Sequence, residues 1–350
     1  MDGGPPPLAT PAWPSGAWAG SGGGTRCVLD REEMAFMDWF GGFIMRRGTT
    51  LAVVVGGAAA AAATAYLVWV RARKNALPKP AVGMFPNGMA FIRWGAGAKK
   101  LLWIVGGPGL GFPTGLRVAL LPWALRPFAD AGYTCWLVNR KRDMPPGYTL
   151  ADMAEDYATL IDQKFEGQVD LILGEDFGGW IGFHLAARHP ERVAFLATAS
   201  TGYAITEAGK AIDRNFAQLI SQGRPVQAWQ RMLTTLAPSL PAILTRVLGI
   251  VLDRLFTDRT RPDFATNLMV ETDAEQTCDL RSILPDVHVP VLLIGGDQGP
   301  FLSREILEET ARLIPDCTLQ LHQGKTDIAA ISTTQLPRDV LTWIATQSRT

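Results

Sequence analysis

The hexapeptide Gly174-Glu175-Asp176-Phe177-Gly178-Gly179 follows the apolar run VDLIL and precedes the helical pattern WIGFHLAARHP. Gly174 and Gly178 flank Asp176 at the two places where a tight strand-to-helix bend presses backbone on backbone, so this spacing lifts the Asp176 side chain out of the turn. A carboxylate held there is already an attacking group at neutral pH and needs no base to remove a proton. Upstream, GGPGLG follows the apolar run LLWIV. Its Gly107 N–H and the Phe177 N–H at the helix start are candidate donors for a developing oxyanion, whereas Pro108 has no N–H to give.

These groups need a scaffold, and the chain from about residue 84 supplies one. Short apolar runs beginning at Met89, Leu101, Thr134, Val169, Val193, Val289 and Cys317 read as strands. Helical patterns at 150–165, 178–189, 303–314 and 335–347 alternate with them. That alternation predicts an α/β fold, a mostly parallel sheet covered by helices on both faces, with functional loops at the carboxyl ends of the strands. Residues 203–280 carry no strand pattern. There, AILTRVLGIVLDRLF sets Ile243, Leu244, Val247, Leu248, Val251, Leu252 and Leu255 on one helical face. The interval reads as a helical lid whose apolar face roofs a pocket; packing in an ordinary core or lying on a bilayer are the alternatives.

GGPGLG, GEDFGG, AARHPERV, the helical insertion, PVLLIGGDQGP, ARLIPDC and GKTDIAA, taken in this order, resemble the α/β-hydrolase superfamily, in the branch of proline iminopeptidases and epoxide hydrolases. The likeness runs over roughly residues 84 to 347. It implies that Asp176 stands where most members carry a nucleophilic serine. Epoxide hydrolases and haloalkane dehalogenases carry aspartate at that position and form a covalent alkyl ester that water then cleaves. The resemblance also implies an acid near Gly299 and a histidine at Asp327, and neither is present. Asp297 lies two positions early and His322 five positions early, so a shifted set of Asp176, Asp297 and His322 is one reading. A second pairs Asp176 with Asp327 as two carboxylates of separated pKa. A third turns Lys325 inward to neutralise Asp176. His184, His189 and His288 read as structural or solvated.

The remaining sequence bounds the function. Lys and Arg together number 33 and so do Asp and Glu, so the formal charge is zero and the basic footprint of a nucleic-acid binder is missing. Cys27, Cys135, Cys278 and Cys317 are scattered, which argues against structural zinc and a disulfide scaffold; no metal or cofactor is expected. Residues 1–48 read as a disordered segment rich in Gly, Pro, Ala and Ser. Residues 49–70, TTLAVVVGGAAAAAATAYLVWV, hold no charge and flank on Arg46, Arg47, Arg71, Arg73 and Lys74. At about 1.5 Å per residue such a helix spans the roughly 30 Å hydrocarbon layer, so it reads as a single-pass membrane anchor, a cleaved targeting segment being the alternative. Residues 71–83 form a linker to a domain over 84–350. The expected function is a membrane-anchored hydrolase of a small apolar ester- or epoxide-like substrate acting through Asp176, or a catalytically silent relative that binds a hydrophobic ligand or a protein partner.

Overall fold

The fold comes from a computed structural model that describes residues 79–107, 112–113, 116–257, 261–326 and 335–347. The expected disordered segment 1–48, the membrane segment 49–70 and Asp327 lie outside the described residues. Among those residues, no helix is long and apolar enough to cross a membrane.

Eight strands form one sheet: β1 (Ala81–Met84), β2 (Ala90–Trp94), β3 (Lys99–Ile104), β4 (Tyr133–Val138), β5 (Leu171–Glu175), β6 (Leu196–Ala199), β7 (Val291–Gly296) and β8 (Cys317–His322). Their order is β1-β2-β4-β3-β5-β6-β7-β8. β1 and β2 pair antiparallel, as do β2 and β4, and all later pairings are parallel. The central strands are apolar on both sides. In β3, Leu102 and Ile104 enter one core while Leu101 and Trp103 enter the other. A strand buried on two faces reads as a continuous apolar run, which is why no hydrophobic-polar alternation marks it.

Helices cover both faces. α1 (Leu116–Asp130) and α9 (Leu336–Gln347) bury Leu125, Phe128, Val340 and Trp343 on one side. α2 (Leu150–Lys164), α3 (Phe177–Arg188) and α8 (Arg304–Leu313) cover the other, with Met153, Tyr157, Trp180 and Leu307 in the core. Thr149 starts α2 with a capping box, its side chain accepting from the Asp152 N–H while the Asp152 carboxylate accepts from the Thr149 N–H.

Between β6 and β7 stand α4 (Glu207–Ser221), α5 (Pro225–Leu236), α6 (Ala242–Phe256) and α7 (Phe264–Gln276). Phe216, Ile220, Trp229 and Leu268 give them a small core of their own. The apolar stripe of α6 does not roof a pocket. Thr245, Gly249 and Asp253 form its inward line, whereas Ile243, Val247, Ile250, Val251 and Leu255 are exposed. Close packing explains the inversion: a Cβ on Gly249 would stand 2.9 Å from the Val226 carbonyl oxygen, so the glycine edge is the one that seats on α5.

Candidate active site

Asp176 occupies the bend between β5 and α3 at φ 50° and ψ −120°, a backbone that L-residues rarely adopt. The neighbours make it affordable. A Cβ on Gly174 would meet the Gly179 Cα at 2.6 Å, and one on Gly178 would meet the Ile104 carbonyl oxygen at 2.4 Å. Three hydrogen bonds hold the bend itself: Asp176 N–H to the Ala199 carbonyl at 2.8 Å, Gly179 N–H to the Asp176 carbonyl at 2.9 Å, and the Thr201 hydroxyl to that same carbonyl at 3.0 Å. Strain of this kind persists where surrounding contacts over-determine it, and it clusters at functional sites.

The bend aims the carboxylate inward. Asp176 Oδ2 accepts the Gly107 N–H at 3.1 Å, and Gly107 itself sits at φ 55°. The Phe177 N–H opens α3, where first-turn N–H groups have no acceptor within the helix. Of the two donors expected from the sequence, the Gly107 N–H meets the carboxylate, whereas the Asp176 side chain makes no capping bond at the start of α3.

Arg140, just beyond β4, holds the Gly107 loop. Its guanidinium donates to the Val105 carbonyl at 2.6 Å and the Gly107 carbonyl at 2.9 Å. The same group donates to Glu271 on α7 at 2.7 and 3.1 Å and lies 4.9 Å over the Phe177 ring. Both members of this ion pair are buried. Burial works against the guanidinium's charge, but Glu271 outweighs it and keeps Arg140 protonated. The cation beside Asp176 is thus Arg140 rather than Lys325, which is exposed.

The other anticipated residues stand elsewhere. Asp297 accepts from the Gly324 N–H at 2.7 Å and from Arg304 at 3.3 Å. Partial burial would raise its pKa, but those two donors hold the carboxyl below its ordinary range. It ties the turn after β8 to α8. His322 pairs through Nε2 with Asp339 of α9 at 3.0 Å, so it faces the last helix. The three strands' step from β5 to β8 amounts to about 14 Å at the usual strand spacing. The structure does not bring Asp176, Asp297 and His322 together in one bonded set. His189 bonds Glu155 at 2.9 Å on the surface, His288 is exposed, and His184 is buried, with burial pushing its pKa down to about 4.

Two residues escaped the sequence reading. Asp213 on α4 and Glu275 on α7 are buried, and both feel the charge of Asp176. Burial raises the pKa of both and the charge of Asp176 adds to both rises; Asp213 raises Glu275 further, whereas Glu275 works against the rise of Asp213. The available signal was Glu271 and Glu275, four apart on one helix face in a segment otherwise mostly uncharged. Nothing in the sequence ties them to Asp213, 62 residues away from Glu275. An open depression on the lid, lined by Ile220, Pro225, Arg261 and Phe264, contains none of these groups. Among the described residues, no cluster of three His, Cys, Asp or Glu is arranged to hold a metal ion.

A strand-bend-helix pedestal, a facing backbone donor and a helical insertion after β6 define an α/β-hydrolase site, and the chain belongs to the α/β hydrolase fold family, whose model matches residues 125–327. The 2-(acetamidomethylene)succinate hydrolase of Mesorhizobium japonicum is 29% identical over 182 residues, 51% of this chain and 64% of that protein. A pimeloyl-[acyl-carrier protein] methyl ester esterase of Neisseria meningitidis is 28% identical over 183 residues, 46% of this chain and 68% of the esterase. The chain thus spans about two thirds of the length of these curated relatives. Among solved structures, an α/β hydrolase from a Medee basin deep-sea metagenome library superposes with a TM-score of 0.61 at 14% identity, covering 76% of this chain and 97% of the other. At that identity the likeness concerns the fold alone.

Proposed function

We propose that this chain is a hydrolase using Asp176 as a covalent nucleophile on a small, uncharged, apolar ester- or epoxide-like substrate. One observation carries the reading: Asp176 Oδ2 rests on the Gly107 N–H at 3.1 Å. In this reading Oδ2 stays on the Gly107 N–H while Oδ1 attacks an electrophilic carbon. The carbon–oxygen bond of an epoxide breaks as the new bond to Oδ1 forms, leaving an alkyl ester whose carbonyl oxygen is Oδ2. Water adding to that ester places the growing negative charge on Oδ2, beside the Gly107 donor. Such preorganised donors are typically worth about 3–4 kcal/mol each in the transition state.

The surroundings bear on substrate charge. Among the described residues, the charges of Asp176, Asp213 and Glu271 act on Glu275, and Arg140 pairs with Glu271. A substrate carrying carboxylates would be repelled, unlike the dicarboxylate named for the Mesorhizobium relative.

A second reading, a silent family member that binds a hydrophobic ligand or a protein partner, is favoured by one fact. Asp297 and His322, the residues that could have completed a triad, are engaged with Arg304, Gly324 and Asp339. Multiple turnovers of candidate epoxides, alkyl halides and esters in heavy-oxygen water separate the two. Label in the Asp176 peptide, lost in Asp176→Asn, supports the nucleophile; absence of both label and turnover leaves the silent binder. Residues 49–70 are proposed to anchor the protein to a membrane. The protein should resist carbonate extraction from membranes, and full release by carbonate would reject the anchor.

A further inference from the structure

Seven large apolar side chains are exposed among the described residues, and five of them, Ile243, Val247, Ile250, Val251 and Leu255, stand on α6. Scattered surface hydrophobes need no explanation, but a row of them on one helix face does. The helix that carries the row is fixed to the body of the protein. The Arg117 guanidinium donates to the Leu255 carbonyl at 3.1 Å and lies 4.2 Å over the Phe256 ring, while Gly249 seats the inward edge on α5. Thr245 and Asp253 are buried along that same edge, so polar groups point in where a helix serving only its own core would point apolar ones. The charge beside the row is of one sign. From residue 222 to residue 257 the charged side chains are Arg224, Arg231, Arg246, Asp253 and Arg254. The four arginines are exposed, whereas Asp253 is 1% exposed. Arg246 lies one turn from Ile243 and Ile250, and Arg254 one turn from Ile250 and Val251, so both cations stand among the aliphatic side chains.

We infer that the exposed face of α6 rests on an anionic bilayer surface, its aliphatic side chains among the acyl chains and its arginines at the headgroup phosphates. Apolar burial and attraction to anionic lipid add in binding of this kind. Arginine stems lie along apolar surface while their guanidiniums reach the polar layer. Charge sets the other occupants aside. Antiparallel pairing of α6 with a second copy would bring guanidinium against guanidinium across the two-fold axis. The segment 49–70 is uncharged and flanked by Arg46, Arg47, Arg71, Arg73 and Lys74, so seating it on α6 would gather cations with no counter-charge. A protein partner would find no Trp, Tyr, Phe or Met in the row, the side chains that usually anchor such contacts. The inference stands apart from the anchor proposed over 49–70, but the two are compatible. Eight residues, 71–78, precede the first described residue, and extended they reach about 28 Å, enough for an anchored domain to turn α6 onto the lipid.

Photocrosslinking in the full-length protein distinguishes these occupants. Benzoylphenylalanine is placed in turn at Val247, at Val251 and, as a control, at the exposed Glu305 of α8. The protein is reconstituted into vesicles of phosphatidylcholine, with or without phosphatidylserine, and illuminated. Peptide mass spectra should show lipid attached at positions 247 and 251, several-fold more with phosphatidylserine, and little at position 305. Arg246→Gln with Arg254→Gln should cut the lipid adduct about 10-fold, and raised salt should act in the same direction. Without any substitution, hydrogen exchange over residues 242–256 of the wild type should slow when phosphatidylserine is present. A crosslink between two chains, or to another segment of the same chain, would overturn the inference, as would equal lipid adduct at all three positions or none at α6. Carbonate extraction strips surface contacts and reads residues 49–70 alone, so failure of that anchor and failure of the α6 contact are separate results.

Discussion

Arg140 shows how much of the site depends on one side chain. Its guanidinium is 3% exposed and holds the Val105 and Gly107 carbonyls and Glu271 together. Replacing one member of a buried ion pair leaves the other charge uncompensated, which costs about 3–5 kcal/mol, whereas replacing both with apolar residues of similar volume is often close to neutral. Arg140→Met should lower the denaturant midpoint sharply, and adding Glu271→Leu should recover much of the loss. Activity should not return in the double variant, since the Gly107 carbonyl has lost its anchor and the donor that faces Asp176 is no longer fixed. Recovery of both stability and activity would separate Arg140 from the donor loop.

At the scale of elements, the bend after β5 is set by close approach. A Cβ at position 178 meets backbone, the Ile104 carbonyl oxygen at 2.4 Å, and backbone cannot step aside as a flexible side chain would. Gly178→Ala should cost about 1–3 kcal/mol by urea titration and should reduce alkylation of Asp176 more than it reduces stability. α6 presents the opposite case: Leu252 and Phe256 pack on the insertion core, but much of its remaining apolar surface is left exposed. Ile243 is 67% exposed and Val251 45%. Ile243→Lys with Val251→Glu should leave stability within about 0.5 kcal/mol while lowering any self-association seen by light scattering. A large drop in stability would mean that this face packs against protein.

For the molecule as a whole, stability should fall on the alkaline side. Burial pushes Glu175 up to about 8, with the neighbouring Asp176 adding to the rise, and the Asp213 and Glu275 carboxyls are raised as well. Such groups bind more protons folded than unfolded, so their contribution is complete below the ordinary carboxylate range near pH ~4 and is lost as pH climbs through the raised values. His184 acts in the other sense. With its folded pKa down to about 4, it loses stability as pH falls from its ordinary value near ~6.5. Between about pH 6.5 and 8 only the carboxyl contribution remains, so the melting temperature should decline across that interval. Asp213→Asn with Glu275→Gln should flatten the decline.

The same global view explains what the sequence disclosed. Seven strands and five helices were legible because apolar runs and helical periods are local signals. β1 was not, being four residues at an edge with Val82 and Met84 exposed, and α1 was masked by Pro122 and Pro127, which read as breakers. The bend at Asp176 and the Gly107 donor that meets it could be read from glycine spacing. The Arg140–Glu271 clamp and the Asp213–Glu275 pair could not, since their partners lie 131 and 62 residues apart and only the folded lid brings them near.

The bond from Gly107 to the protein's own carboxylate has a pharmacological corollary. Boronic acids and fluorophosphonates, which disable serine esterases by seating a charged oxygen on that amide, arrive to find the seat taken and no hydroxyl to capture them. Strained three-membered rings and alkylating halides require only a carboxylate as attacking group. A panel of both reagent classes, scored by mass shift, should therefore tell this protein apart from its serine-bearing cousins in a mixed proteome.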